Sequence, residues 1–211
     1  MAIIQGTFNQ VVKASGKFGG ALVVFEGHPS LLVGGFNFDL NDLPAAGAVL
    51  PCGTPVYCDE ASRKIVPVIT AKVTAVDGTT VTVEDHGFGQ AAFKVGDTVA
   101  ELPASLATAA ENFATVTAVD GNVLTLSASV TGLAADDILA VVGATDKKVK
   151  ATPNALLPYD VVRDADAISV DGDGMWANDR PVLERRMPAI NDAIKAALVA
   201  AGCDIKFSNR K

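Results

Sequence analysis

The string Thr-Ala-Val-Asp-Gly stands at residues 74–78 and again at residues 117–121, and its surroundings repeat with it. Val73 aligns with Val116, Val81-Thr82-Val83 with Leu124-Thr125-Leu126, and residues 93–99 with residues 133–139. Such a repeat constrains a fold strongly, because one unit must work twice and cover its apolar face with its own copy. The unit reads as β. In Lys72-Val73-Thr74-Ala75-Val76, apolar and polar residues alternate with the period of a half-buried strand, Asp77-Gly78 supplies a positive-φ turn, and residues 80–84 resume the alternation. The step Val95-Gly96-Asp97 opens a third short strand, and Asp120-Gly121 and Asp136-Asp137 repeat the layout. Neither hairpin can bury its face alone, so residues 70–144 are expected to form a small duplicated β-barrel or sandwich.

Composition narrows the function classes. Of 211 residues, 49% are hydrophobic and only 19% are charged, enough to build a core in one or two domains and too apolar for a disordered chain. The net charge of −7 would repel a phosphate backbone, and the basic clusters are short (Lys147-Lys148-Val149-Lys150, Arg185-Arg186, Arg210-Lys211), so no nucleic-acid partner is expected. No apolar run reaches membrane-spanning length, so no membrane partner is expected either. The start, Met1-Ala2-Ile3-Ile4-Gln5, has neither the basic region nor the long apolar stretch of a signal peptide, which predicts a chain made in a cytoplasm.

Outside the repeat the reading is a succession of short strands. Val11-Val12, residues 21–25 and Leu31-Leu32-Val33 are separated by glycines, and the opening Met1 to Phe8 reads either as a first strand or as an arm that docks on another chain. Residues 43–55 are too rich in proline and glycine for a helix. They lead into a strand at Val56-Tyr57-Cys58, a turn at Asp59-Glu60-Ala61-Ser62 and a return strand that Pro67 confines to an edge or an end. Later strands are expected at residues 155–157, 160–162 and 167–170, with Asp171-Gly172-Asp173-Gly174 as a turn. One helix is predicted from Ala189 to Ala201, with Pro188 at its start, an apolar face through Ile190, Ile194 and Leu198, and Gly202 as its stop.

The residues that could carry chemistry do not assemble in the sequence. His28 and His86 have no recognisable nucleophile nearby, and His86 reads as a loop residue at a hairpin tip, so no catalytic residue is assigned. Cys52, Cys58 and Cys203 read as free thiols, with a Cys52–Cys58 disulfide or a metal site as alternatives, and no metal ligand set or cofactor is assigned. Asp171 and Asp173 admit a calcium reading, but a plain turn accounts for them more simply. Tyr159 and Trp176 read as core residues, with contact to a sugar or a protein as the alternative.

The stretch Thr54-Pro55-Val56-Tyr57-Cys58-Asp59-Glu60-Ala61-Ser62-Arg63-Lys64-Ile65-Val66-Pro67-Val68 resembles a segment of the lambda-type phage head decoration proteins, in which Thr-Pro, two apolar residues, an acidic turn, Ser-Arg-Lys and a valine-containing strand follow one another. Tyr159-Asp160-Val161-Val162, ahead of Arg180-Pro181, is similar to the later part of such proteins. The repeated block resembles what phage head decoration and head fibre proteins carry as an outward insertion.

This resemblance implies a mainly β fold. A discontinuous capsid-binding base, residues 1–69 and 145–211, would carry an inserted duplicated domain, residues 70–144, that projects outward, and one C-terminal helix. It implies a structural protein on the capsid surface of a virion, made in the host cytoplasm, with no catalytic activity. Its partners would be the major capsid protein and two further copies of itself in a homotrimer, with a host surface glycan as a possible contact of the outer block. Ile3, Ile4 and Phe8 are the capsid-contact candidates, as apolar anchors on the opening arm. A bacterial surface or carbohydrate-binding β-module is the alternative, and a hydrolase comes third.

Overall fold

The computed structural model describes residues 24–32 and 35–209. These residues form a mainly β structure with one α-helix. In chain order, β1 (Pro29–Leu31), β2 (Phe36–Phe38), β3 (Val49–Leu50), β4 (Pro55–Asp59) and β5 (Lys64–Pro67) precede the repeat. The repeat supplies β6 (Thr70–Asp77), β7 (Thr80–Val83), β8 (Thr98–Glu101), β9 (Phe113–Asp120), β10 (Val123–Leu126) and β11 (Ile138–Val142). After it come β12 (Ala155–Leu156), β13 (Val161–Val162), β14 (Val170–Gly172), β15 (Met175–Asn178), β16 (Val182–Leu183), helix α1 (Asp192–Ala200) and β17 (Phe207–Ser208).

The six strands of the repeat close into a barrel in the order β10-β7-β6-β11-β8-β9. Its interior is apolar, with Val73, Val81, Val83 and Val99 from the first copy facing Val116, Leu124, Leu126 and Leu139 from the second, all buried. Side chains fill so small a barrel completely, which leaves it a packed core rather than a channel. The two copies occupy equivalent places. In the β7–β10 pair Val81 lies opposite Leu124, and in the β8–β11 pair Ala100 lies opposite Ala140, so aligned residues face each other across both seams.

Local bonding repeats as well. Thr74 Oγ1 donates to the Thr82 carbonyl at 3.1 Å, and Thr117 Oγ1 donates to the Thr125 carbonyl at 3.0 Å. A break in register falls at the same point of each hairpin. Each hairpin turns through a left-handed glycine in first loop position, Gly78 at φ 60° and Gly121 at φ 58°. Before the third strand of each copy an aspartate closes the bend: Asp97 accepts from the Lys94 N–H at 3.0 Å and Asp137 from the Ala134 N–H at 2.7 Å.

The segments on either side of the barrel share one sheet, ordered β1-β15-β12-β4-β5-β2-β14. Strands β4 and β5 form the antiparallel hairpin expected from residues 54–68, paired Val56 with Pro67 and Asp59 with Lys64, and Pro67 ends its strand. The Asp59 carboxylate accepts from the Ala61 N–H and the Ser62 hydroxyl, which fixes that turn. Two small pairs, β3–β13 and the parallel β16–β17, complete the strands.

Helix α1 starts three residues later than its apolar spacing suggests. Asn191 caps it by accepting from the Ile194 N–H, and Ile194 and Leu198 turn inward. Gly202 follows the C-terminus at φ 86°, as a helix stop requires. The helix packs on a cluster that includes Met175, Leu156, Val182 and Met187, while a second cluster runs without a break from Phe36, Val56 and Ile65 of the sheet into the barrel.

One expected turn is corrected. Residues 171–174 do not form a hairpin: Asp171 and Gly172 belong to β14, which pairs with β2, and β15 pairs with β1 and β12 instead. The glycines serve packing. A Cβ on Gly172 would run into the Phe38 ring, and one on Gly174 would stand 2.6 Å from Cys58 Sγ and 2.8 Å from Ala155 Cβ. The strand expected from residue 167 begins only at Val170.

Candidate functional site

The two copies differ where the first one meets the sheet. The connection between β7 and β8 folds on Asp85, whose Oδ1 accepts from the Gly87 N–H at 2.7 Å and the Gly89 N–H at 3.2 Å. This bend turns His86 inward, so the expected hairpin-tip position is corrected to a half-buried one with Nε2 shielded from solvent. Burial pulls the imidazole below its ordinary pKa, against the opposing pull of Glu84, Asp85 and Asp160. A cavity of about 20 Å³ lies here, lined by His86, Phe88 and Phe93 of the connection, Thr70 of β6, and Leu50 and Pro188 from outside the barrel. Thr70 Oγ1 and His86 Nε2 are both buried without a hydrogen-bond partner.

Asp160 acts electrostatically on both His86 and Cys52, which brings a thiol, an imidazole and a carboxylate into one neighbourhood. Their arrangement runs against nucleophilic chemistry. Cys52 donates its thiol proton to the Pro158 carbonyl at 3.4 Å, and burial and then Asp160 push its pKa well above the ordinary thiol range. Asp160 accepts from the Cys52 backbone N–H at 2.7 Å, so its bond anchors a loop rather than orienting an imidazole. Partial desolvation also raises the Asp160 carboxyl above the usual range.

Beside this neighbourhood three cations from separate segments hold one short loop, residues 40–43. Lys94 Nζ donates to the Asn41 carbonyl and, at 2.8 Å, to the Leu43 carbonyl. Lys150 pairs with Asp42 at 2.8 Å, and Arg163 Nη1 donates to the Leu40 carbonyl at 2.8 Å. Asp97 is buried near Lys94 and Lys150, and desolvation raises its carboxyl against their opposing charge. The site is therefore a joint. It fixes the barrel on the sheet through an apolar seam with a cationic clasp at one side.

The residues singled out in the sequence scatter around this joint. Ile3, Ile4 and Phe8 lie outside the described residues. His28 sits on the surface, its N–H and ring both directed at the Asp179 carboxylate. Asp173 accepts from the Tyr159 hydroxyl at 2.9 Å. Tyr159 and Trp176, expected in the core, are corrected to half-exposed positions, 39% and 41% accessible. Cys52, Cys58 and Cys203 are free; burial pushes the Cys58 thiol up to about 12, and Cys203 donates to the Asn154 carbonyl at 3.0 Å. Among the described residues, no three His, Cys, Asp or Glu side chains are placed to hold a metal ion, and no helix is long and apolar enough to cross a membrane.

Sequence reasoning passed over Lys94, Asp160 and Arg163. For Lys94 a signal existed: it stands where the second copy has Ala134, a charge gained at one of two aligned positions. Asp160 and Arg163 offered none, because their partners are remote in the chain. No family model, curated protein or solved structure matches this chain.

Proposed function

We propose that the chain is a virion structural protein, a capsid decoration or head fibre subunit. It binds the outer face of a phage capsid through its sheet and terminal segments and holds the barrel away from the shell. One observation carries the reading. The segments before and after the repeat interleave in a single sheet, while the repeat closes on itself. That division into a base and an inserted body is what a decoration subunit with an outward domain needs. The stretch that resembles the lambda-type decoration proteins forms the β4–β5 hairpin inside the base sheet.

In this reading the barrel is a duplicated domain and the joint keeps it in a fixed direction. The molecule works by binding and shape, without catalysis or a cofactor. Its partners are the major capsid protein and, as a trimer, its own copies, a usual way to cover open sheet edges. Ile3, Ile4 and Phe8 supply apolar anchors on the capsid side. Each such anchor contributes on the order of 1.5–3 kcal/mol when buried, so loss of three weakens attachment by several powers of ten.

Sedimentation with purified capsids of the encoding phage tests this. The full chain is expected to pellet with capsids and to saturate, and a chain lacking residues 1–8 is expected to stay in the supernatant with an unchanged circular dichroism spectrum. A full chain that never pellets with capsids would overturn the assignment. Light scattering on the free protein reads the trimer, and a monomer that gains nothing on capsids would remove that part.

A further inference from the structure

The cavity at the joint contains an unresolved polar imbalance. Thr70 is 4% exposed at the first residue of β6, and its hydroxyl has neither a donor nor an acceptor. His86 brings a buried ring nitrogen, Nε2, that also has no partner. Both residues line the same cavity, and Leu50, Pro51, Phe88, Phe93 and Pro188 make most of its remaining wall apolar. A buried hydroxyl and a buried imidazole nitrogen left unpaired each carry a desolvation penalty, and folded proteins remove it with a protein group or an ordered water.

Size selects between those occupants. The cavity measures about 20 Å³. A single water needs roughly 10–15 Å³ of such space and two to four polar partners, whereas organic ligands occupy sites of roughly 300–1,000 Å³. An ion is disfavoured because Glu84 is the one acidic side chain on a wall that is otherwise mostly apolar, too few charged ligands to replace a hydration shell. Thr54, which lines the wall along with the polar residues Glu84 and Gln90, donates its hydroxyl proton to the Pro51 carbonyl at 2.6 Å and keeps its lone pairs free to accept.

We propose that one ordered water molecule resides in this cavity and bridges Thr70 Oγ1 to His86 Nε2, locking the β7–β8 connection onto β6 where the barrel meets the base. Water suits the pair because it both donates and accepts. It satisfies Nε2 in either imidazole tautomer, and the threonine hydroxyl rotates to match. The second copy has no such site, because Phe113 occupies the position aligned with Thr70 and is 42% exposed.

The test is a crystal structure at atomic resolution of the full chain and of Thr70→Val and Thr70→Ser, with ¹⁵N spectra of the histidine ring in solution. The wild type and Thr70→Ser are expected to show one water peak within hydrogen-bond distance of both the residue-70 hydroxyl and His86 Nε2. Thr70→Val, which keeps the shape and removes the hydroxyl, is expected to lose that peak and to shift the Nε2 resonance, while Thr70→Ser leaves the resonance in place. An empty cavity in the wild type, a water bound to only one of the two atoms, or an Nε2 resonance unmoved by Thr70→Val would each overturn the proposal.

Discussion

The barrel and the base are both β, yet they are specified in opposite ways. In the barrel, each copy forms a hairpin around a two-residue turn, and the copies then meet through aligned residues, Val81 on Leu124 and Ala100 on Ala140. In the base, strands of two to five residues find partners across most of the chain, as when Pro29 pairs with Asn178 and Phe38 with Val170. The difference teaches where each part's stability and specificity come from. Local pairs cost little closure entropy and can form early, whereas the base sheet waits for both ends of the chain.

Core truncations should expose this contrast most strongly. Leu124 in the barrel and Leu156 in the base are both fully buried, and either replaced by alanine is expected to lose about 2–5 kcal/mol of stability in urea unfolding. The kinetics should separate them. Leu124→Ala is expected mainly to slow folding and Leu156→Ala mainly to speed unfolding, the signature of a barrel that nucleates first. Equal partitioning in stopped-flow measurements would break the comparison.

Glycines sharpen it further. Gly172→Ala and Gly174→Ala force a methyl into filled space and should each cost about 1–3 kcal/mol. Gly78 and Gly121 need their left-handed backbone, but Gly78 has open space around it, so Gly78→Asn should be nearly neutral by thermal melting. A Gly78→Asn loss as large as that of Gly174→Ala would contradict the assignment of turn glycines to the barrel and packing glycines to the base.

The joint breaks the equivalence of the copies at one aligned pair. Asp97→Ala should cost about 1.5–3 kcal/mol, because it removes the larger of the two acidic partners of half-buried Lys94, whereas half-buried Asp137 should cost about 0.5–1.5 kcal/mol for its single backbone bond. Equal losses in denaturant melts would show that the joint adds nothing to the shared turn.

The smallest expected effect is on pH dependence. His86 has a folded-state pKa below its unfolded value, so the unfolded chain binds its proton first. Its contribution to stability is complete above about pH 6.5 and is lost as pH falls toward the depressed value. Buried Asp97 and partly desolvated Asp160 have raised values and act the other way, favouring the folded state as they take up protons above about pH 3.8. Melting temperature should therefore drop as pH falls below about 6.5, and His86→Gln should flatten that drop. An unchanged slope in the variant would remove His86 from the account.

How much of this was legible follows the same division. Alternation and Asp-Gly turns made β6, β7, β9 and β10 readable, and the Asp59 turn with Pro67 beyond it marked the β4–β5 hairpin. Gly202 marked the end of the helix. Its start was misplaced because the cap is Asn191, a residue whose role depends on one bond to the Ile194 N–H rather than on the apolar period. Asp171-Gly172-Asp173-Gly174 looked like a turn because glycine signals backbone freedom and tight packing alike, and only the Phe38 ring and the Cys58 sulfur reveal which applies. The joint was hidden for a related reason. His86, Asp160 and Cys52 are far apart in sequence, and their proximity is a property of the assembled seam.

The assignment as a decoration subunit is tested most directly by a cryo-EM reconstruction of capsids incubated with the full chain. The account predicts added density at threefold positions, three copies each, with the β1-to-β14 sheet toward the shell and the six-stranded barrel at the distal end. Bare capsids at saturating protein, or density with the barrel seated on the shell and the sheet outward, would contradict it.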